Sequence, residues 1–338
     1  MKAMIIARIA PVNTRSLESD DLPMPSPKPG EVLIRVKACG VCHTELDEVE
    51  GRLSPPNLPV VPGHQVVGIV EEVGPSVTLH KVGDRVGVAW IFSACGSCTF
   101  CKKGLENLCP KAKFTGLDMN GGYAEFMVAQ ERFAYSIPER FEDLEAAPLL
   151  CAGVIGYRAL RLSNLEDGGV LGLFGFGASA HIVLPLARHQ FPNARVFVFT
   201  RPGQAEHQAL AMEMGAEWAG ATGETPPSPL SAAIDFTPIG EPIKAALSLL
   251  EPSGRLVINA IRKETPIPEL DYASHLWKER EIKSVANVTR KDALEFLSLA
   301  AAVPIQPNIT PLPFEGANEA LLALKEGKAK GAMVLRIG

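Results

Sequence analysis

Four cysteines within fifteen residues constrain this chain more than any other feature. Cys95-Gly-Ser-Cys98-Thr-Phe-Cys101, with Cys109 beyond, spaces them C-x2-C-x2-C-x7-C. Four thiolates this close in sequence can close a tetrahedron around Zn²⁺, and Gly96 and Gly104 let the backbone wrap tightly. Such a lobe, at about residues 92–112, has little apolar core. The metal's binding energy, on the order of 10 kcal/mol in small zinc peptides, would add directly to its folding. An iron–sulfur cluster and cysteines without metal are the competing readings. Cluster motifs run to other spacings, which favours a structural zinc site.

The remaining cysteines are Cys39, Cys42 and Cys151, which makes seven. An odd number, mostly in tight groups, reads as metal binding rather than a disulfide framework and points to a reducing, cytoplasmic setting. At 338 residues, 46% hydrophobic and 21% charged, the chain is of ordinary globular composition and long enough for two domains. A net charge of -5 with no basic cluster argues against a nucleic-acid partner. The opening MKAMIIARIAPV reads as a first strand, not a signal peptide. No window approaches the roughly 18 apolar residues of a membrane span.

The first 150 residues read as β-rich. Val32–Ala38, Val66–Val73 and Arg85–Trp90 alternate and are punctuated by Pro29-Gly30, Pro62-Gly63 and Gly83-Asp84, which suggests a barrel-like domain. Near residue 151 the character changes. Strands are expected at Val170–Phe174, Val196–Phe199, Ala232–Phe236 and Arg255–Ala260, with helices at Ser179–Gln190, Gln204–Met214 and Pro242–Leu250. Alternation of this kind means βαβ units and a parallel sheet covered on both faces. Pro226-Pro-Ser-Pro229 reads as a surface loop. From about Val288 the pattern shifts again, ending in a helix at Ala317–Lys325 and a strand at Ala332–Ile337.

Within the second region, Gly172-Leu-Phe-Gly175-Phe176-Gly177-Ala178-Ser179-Ala180 follows an apolar strand and opens a helix, the context a dinucleotide-binding glycine turn requires. Gly175 permits the tight turn, Gly177 allows backbone N–H groups to approach a pyrophosphate, and Ala180 lets helix and strand pack closely. The helix N-terminus then offers its unpaired N–H groups to the phosphates. At the end of the next strand an NAD site wants a carboxylate for the ribose 2′-OH; this chain has Thr200 and Arg201. A guanidinium suits a 2′-phosphate, so NADP(H) is favoured over NAD(H). Ala260 and Ile261, ending a later strand, join the expected cofactor residues.

A second metal constellation is scattered: Cys42, His64 and Cys151. Two cysteines and a histidine with water in the fourth position form one known catalytic zinc arrangement. Singly, each reads as an ordinary buried residue; in a chain whose four-cysteine lobe already points to zinc, the set reads as catalytic.

Gly40-Val-Cys42-His43-Thr44, Gly63-His64, the four-cysteine lobe, Cys151-Ala-Gly and the glycine turn together resemble the zinc-containing medium-chain alcohol dehydrogenases over essentially the whole chain. Phe174–Ala180 and Ser284–Arg290 are most similar to the cinnamyl-alcohol-dehydrogenase-like branch. The resemblance implies an α/β protein with a GroES-like catalytic domain from both chain ends (1–151 and 288–338) around a Rossmann domain (152–287). It implies two zinc ions per chain. Cys42, His64 and Cys151 would hold the catalytic one, Thr44 would exchange a proton with the alcohol, His43 would meet the cofactor pyrophosphate, and Trp90 would line the substrate pocket. Plain core packing is the other reading of Trp90. The expected activity is reversible hydride transfer between a primary alcohol or aldehyde and NADP(H), in a homodimer or homotetramer. A polyol or secondary-alcohol dehydrogenase, an NAD(H)-preferring enzyme and a non-catalytic zinc protein are the alternatives.

Four positions depart from the family pattern. Gln65 stands where a Glu usually follows the zinc-binding His, Glu45 where Asp is usual, and Asp47 where some members place a relay histidine. Ala332 replaces an arginine that many members carry before the last strand. Gln65 should leave the site more positive, and Glu45 should still orient His64 on its longer arm.

Overall fold

Short apolar runs broken by Gly, Pro and Asp become strands throughout the first 150 residues of the computed structural model, which describes residues 1–329 and 331–338. β1 (Lys2–Ile6) pairs antiparallel with β2 (Leu17–Asp21). β3 (Glu31–Val41), helix α1 (His43–Val49), β4 (Val66–Val73) and β5 (Arg85–Val88) follow. β6 (Ile91–Ser93) and β7 (Lys113–Phe114) flank the short helix α2 (Thr99–Lys102), and β8 (Phe126–Gln130), β9 (Ala134–Ser136) and helix α3 (Asp143–Ala146) complete the stretch.

Beyond Cys151 helices and strands alternate, as the periodicity implies. The order is α4 (Ala152–Leu162), β10 (Val170–Phe174), α5 (Ala178–Gln190), β11 (Arg195–Thr200), α6 (Ala205–Glu213) and β12 (Trp218–Ala221). It continues through β13 (Leu230–Asp235), α7 (Glu241–Leu249), β14 (Leu250–Ile258), α8 (Tyr272–His275) and β15 (Glu281–Ser284). The chain ends with α9 (Arg290–Ala302), β16 (Ile309–Pro313), α10 (Ala317–Lys325) and β17 (Ala332–Arg336).

Two units result. Met1–Cys151, Asn287–Ala301 and Gln306–Gly338 form one; Ala152–Ala286 with Ala302–Ile305 form the other. The first is built on a seven-stranded sheet ordered β16-β17-β3-β4-β5-β9, with β8 also paired to β3. The C-terminal strand β17 lies antiparallel to β3, which is why the chain end belongs to this unit. Its core is a continuous set of Val, Ile, Leu and Met from the inner faces of these strands, around the fully buried Tyr123.

The second unit is a six-stranded parallel sheet in the order β12-β11-β10-β13-β14-β15. Phe174 and Phe199 stack at 4.2 Å between ring centres within its core. The strand order turns back between β10 and β13, the place where open α/β sheets bind ligands at their carboxyl edge. The architecture is the α/β combination of a GroES-like unit and a Rossmann-like parallel sheet that the family resemblance implies.

Several boundaries differ from the sequence reading. β5 stops at Val88 instead of Trp90, and β14 begins at Leu250, taking the last residue expected of the preceding helix. α1, α9 and β15 were not expected. α1 hides because six of its seven residues are buried, including Glu45, Asp47 and Glu48, so no polar face marks it. Among the described residues no helix is long and apolar enough to cross a membrane.

Candidate active site

The register of two strands brings the first two metal-ligating candidates together. β3 pairs antiparallel with β4, Cys39 opposite Val66, and Gly40 N–H donates to Gln65 O at 3.0 Å just beyond. Continuing that register sets Cys42 beside the Gly63-His64 turn. Gly63 has φ +100°, and a Cβ there would strike the Tyr123 ring at 2.4 Å, so only glycine turns His64 inward. Cys151 arrives from a third segment, the single turn Ala147–Leu150. Gly87 on β5 leaves room for the Leu150 side chain, which an added Cβ would meet at 2.6 Å.

The Cys42 and Cys151 sulfurs and a His64 ring nitrogen lie within 4.8 Å of one another. Cys42 Sγ is 3.8 Å from His64 Nε2. Bond lengths of about 2.3 Å to sulfur and 2.0 Å to nitrogen give tetrahedral edges of roughly 3.5–3.8 Å, so the donors fit a zinc ion. The electrostatics agree. The Cys42 thiol is pushed well up, first by the Cys151 sulfur beside it and then by burial, a crowding that a cation would relieve.

Glu45 holds this arrangement from behind. Cys42 is the N-cap of α1: its Sγ accepts Thr44 N–H at 3.4 Å, while Glu45 Oε2 accepts Cys42 N–H at 2.9 Å, a capping box built with a thiol. The other oxygen, Oε1, lies 2.5 Å from His64 Nδ1. Both groups are buried. Burial works to raise the Glu45 carboxyl, but the His64 imidazole and then the Cys42 N–H outweigh it and hold it below its ordinary value. With Nδ1 committed to a carboxylate, Nε2 is the nitrogen turned to the metal position. The longer arm of Glu45 therefore still orients His64.

The other departures also have places. Asp47 is buried and accepts Arg52 Nε–H at 2.6 Å, so it serves an ion pair at the end of α1. The Gln65 side chain packs over Gly40, where a Cβ would come within 2.7 Å of its Oε1. Ala332 opens β17 opposite Ile309. Glu48, which sequence reasoning passed over, is wholly buried on α1, and neither carboxylate oxygen has a partner among the described residues. Burial and then the charge of Glu45 push its carboxyl well up from the ordinary carboxylate range. No motif marks it; only the fold shows that it is inside.

Thr44 is buried in the first turn of α1, and His43 is exposed at that helix's first position. Trp90 is half-buried, its ring 6.0 Å from His64 and 4.8 Å from Phe114. Phe114 is a second aromatic that sequence reasoning missed, delivered to Trp90 by pairing of β7 with β6.

The four lobe cysteines likewise converge within 4.8 Å, with Cys95 and Cys101 sulfurs 3.9 Å apart. Backbone N–H groups of Cys98, Cys101 and Lys111 point at the sulfurs of Cys95, Cys98 and Cys109 at 3.4–3.5 Å. The Ser97 and Cys98 N–H groups hold the Cys95 thiol down to about 5, where it is a thiolate at neutral pH. That donor set suits a closed zinc site.

In the second unit the glycine turn follows β10 directly. Gly175 has φ +85° and packs against Thr237. Gly177 has an extended backbone and nothing within 4 Å of where a Cβ would stand. Neither strain nor crowding demands glycine at 177, so the open space fits a ligand's approach. His181 N–H makes the first bond within α5, to Gly177 O at 3.0 Å, which leaves the N–H groups of Ala178, Ser179 and Ala180 at the helix end. Phe176 is buried against His181, and the Ser179 hydroxyl is committed to Ala152 O.

The Thr200 hydroxyl is buried; it accepts from Gln208 Nε2 at 2.9 Å, and its one proton lies between the Arg201 and Gly220 carbonyls, at 3.2 and 3.4 Å. The neighbouring Arg201 is exposed. Ala260 and the half-exposed Ile261 lie at the carboxyl end of β14, on the same edge of the sheet.

Comparison with known proteins accords with this geometry. Residues 28–139 match the alcohol dehydrogenase GroES-like domain. The chain is 44% identical to the probable alcohol dehydrogenase AdhA of Mycobacterium tuberculosis, over all of this chain and 97% of that protein. Cinnamyl alcohol dehydrogenase from Sorghum bicolor superposes with a TM-score of 0.87 at 26% identity, covering 99% of this chain and 97% of that one. The cinnamyl alcohol dehydrogenase from Helicobacter pylori, solved with NADP(H), does so with the same TM-score, identity and coverage.

Proposed function

The chain belongs to the zinc-containing medium-chain alcohol dehydrogenase family, in its cinnamyl-alcohol-dehydrogenase-like branch, and from that premise we propose that it is a zinc-dependent alcohol dehydrogenase and aldehyde reductase using NADP(H). The observation that carries the reading is the convergence of Cys42, His64 and Cys151 in front of a buried Glu45. Zinc bound there would supply Lewis-acid polarisation of the substrate oxygen, and the nicotinamide would accept or return the hydride.

The chain's own residues do the rest. Glu45 fixes the His64 ring and the Cys42 backbone together, so the donor set is preorganised. Thr44, one helical position before Glu45, holds or passes the alcohol proton through its hydroxyl. Asp47 is tied to Arg52, which favours a proton route from Thr44 other than through position 47. Trp90 and Phe114 supply an aromatic wall beside His64, suited to a flat unsaturated or benzylic side chain.

In the second unit the first-turn N–H groups of α5 receive the pyrophosphate, and Arg201 pairs with the 2′-phosphate. The NADP(H)-bound relative from Helicobacter pylori supports the same preference. We further propose a cytoplasmic homodimer or homotetramer. Cysteines that form no disulfide among the described residues suit a reducing compartment, and the exposed edge strand β15 offers unpaired backbone to a second copy.

The test is a cofactor-by-substrate panel on purified protein of measured zinc content. The proposal expects about two zinc ions per chain, oxidation of cinnamyl and benzylic alcohols, and faster turnover with NADP⁺ than NAD⁺. Full activity in Cys42→Ala would overturn the catalytic assignment, and equal or better use of NAD⁺ would overturn the role of Arg201.

A further inference from the structure

The loop after β14 carries a cation that no sequence motif announces. Lys263 Nζ lies 2.5 Å from Asp235 Oδ2 and donates to the Thr237 carbonyl at 2.6 Å. Asp235 ends β13 and is 0% exposed; its other carboxylate oxygen accepts the N–H and O–H of Thr237 at 2.9 and 2.7 Å. These residues stand at the turning point of the strand order. Asp235 is the register partner of Phe174, the last residue of β10, and Gly175 follows directly. Thr237 joins the two sides, with its Cγ2 3.0 Å from where a Gly175 Cβ would be and its carbonyl on Lys263.

The pair is oriented. Its carboxylate is sealed inside, while the lysine side chain, carried by the loop that follows the carboxyl end of β14, keeps 16% exposure. An ammonium has three donors, and the described residues use two of Lys263's. A buried ion pair is seldom the most stabilising filling for a site, since well-packed apolar residues serve as well or better. Its presence at the ligand edge of the sheet is better explained by what it presents there.

We propose that Lys263 is a cofactor-binding residue whose remaining N–H donates to a pyrophosphate oxygen of the dinucleotide, with Asp235 as the positioning residue beneath it. The inference rests on the reading of the second unit as a dinucleotide site. It also separates two tasks: Lys263 contributes to binding of either cofactor, whereas Arg201 discriminates between them.

Equilibrium binding of NADPH and NADH to the zinc-loaded protein tests this, read by nucleotide fluorescence at low and high salt. Lys263→Met should weaken both nucleotides by the same factor, about tenfold or more for one charge-assisted hydrogen bond, and flatten the salt dependence of binding. Lys263→Arg should retain most of the affinity. Lys263→Met leaves Asp235 buried without its cation, so the paired D235N/K263M variant is the decisive one. It should keep the native unfolding temperature and bind as weakly as the single variant. Native or tighter binding by the paired variant would overturn the proposal. A native protein that binds neither nucleotide would instead overturn the dinucleotide reading itself.

Discussion

Replacing Glu45 with glutamine isolates the device that assembles the metal site. The carboxylate has two acceptor oxygens and uses both, one for Cys42 N–H at 2.9 Å and one beside His64 Nδ1 at 2.5 Å. A glutamine amide has one acceptor and two donors, so it satisfies either Cys42 or His64 and turns a donor toward the other. The group left over is buried. An unpaired buried donor costs about 1–3 kcal/mol, which is the expected loss of folding stability. The His64 ring also loses its orienting anion, and disruption of such outer contacts lowers metal affinity roughly 10–100-fold. Competition with a chromophoric chelator measures this directly, because the Cys95–Cys109 site in the same molecule is an internal reference. E45Q should release one zinc per chain at lower chelator concentration than the native protein and the second at an unchanged one. Glu45→Asp keeps both acceptors and should fall between. Zinc release by E45Q within twofold of native, with unchanged thermal stability, would refute the claim that Glu45 holds the ligands in place.

Other variants test the remaining parts. Cys98→Ser should reduce the zinc content to about one ion per chain and open the 92–112 lobe to proteolysis before the rest of the molecule. Arg201→Ala should weaken NADPH roughly tenfold or more, for loss of a charge-assisted contact, and leave NADH binding unchanged. Gly177→Ala should fold with native stability, since nothing lies within 4 Å of the new methyl, yet bind nucleotide poorly; Gly175→Ala, at φ +85°, should instead lose about 1–2 kcal/mol of stability. Burial, and then the nearby His207, hold the His181 imidazole down to about 4. Below its unfolded value near 6.5 the unfolded chain binds a proton that the folded one refuses, so this stabilisation is intact above pH 6.5 and lost as pH falls toward 4. Urea unfolding should show native protein losing up to about 3 kcal/mol more than His181→Gln across that interval.

How much of this was legible beforehand follows from how local each feature is. The Cys95–Cys109 lobe closes within one short segment, so spacing alone states its geometry. The glycine turn was equally readable, because strand, turn and helix are consecutive. The Cys42, His64 and Cys151 constellation was not local: Cys42 and His64 meet through the pairing of β3 with β4, and Cys151 follows Leu150, which packs over Gly87, so family resemblance had to supply what spacing could not. The α1 helix escaped notice because its N-cap is a cysteine and its acids are buried, inverting the usual polar-outside pattern. The partners of the Thr200 hydroxyl were hidden for a related reason: only the fold brings Gln208 and Gly220 beside it. Glu48, Phe114 and the Asp235–Lys263 pair carry no motif, and their meaning depends on burial and neighbours that a linear pattern does not encode.

The central claim is that Cys42, His64 and Cys151 hold a zinc ion distinct in chemistry from that of the lobe. X-ray absorption at the zinc edge tests it most directly. Native protein should show an average shell of about three sulfurs and one nitrogen or oxygen per zinc, and Cys151→Ala, inactive and retaining about one zinc, a shell of sulfur alone. An all-sulfur shell in native, active protein, or a Cys151→Ala variant that still oxidises alcohol with two zinc ions bound, would contradict the account.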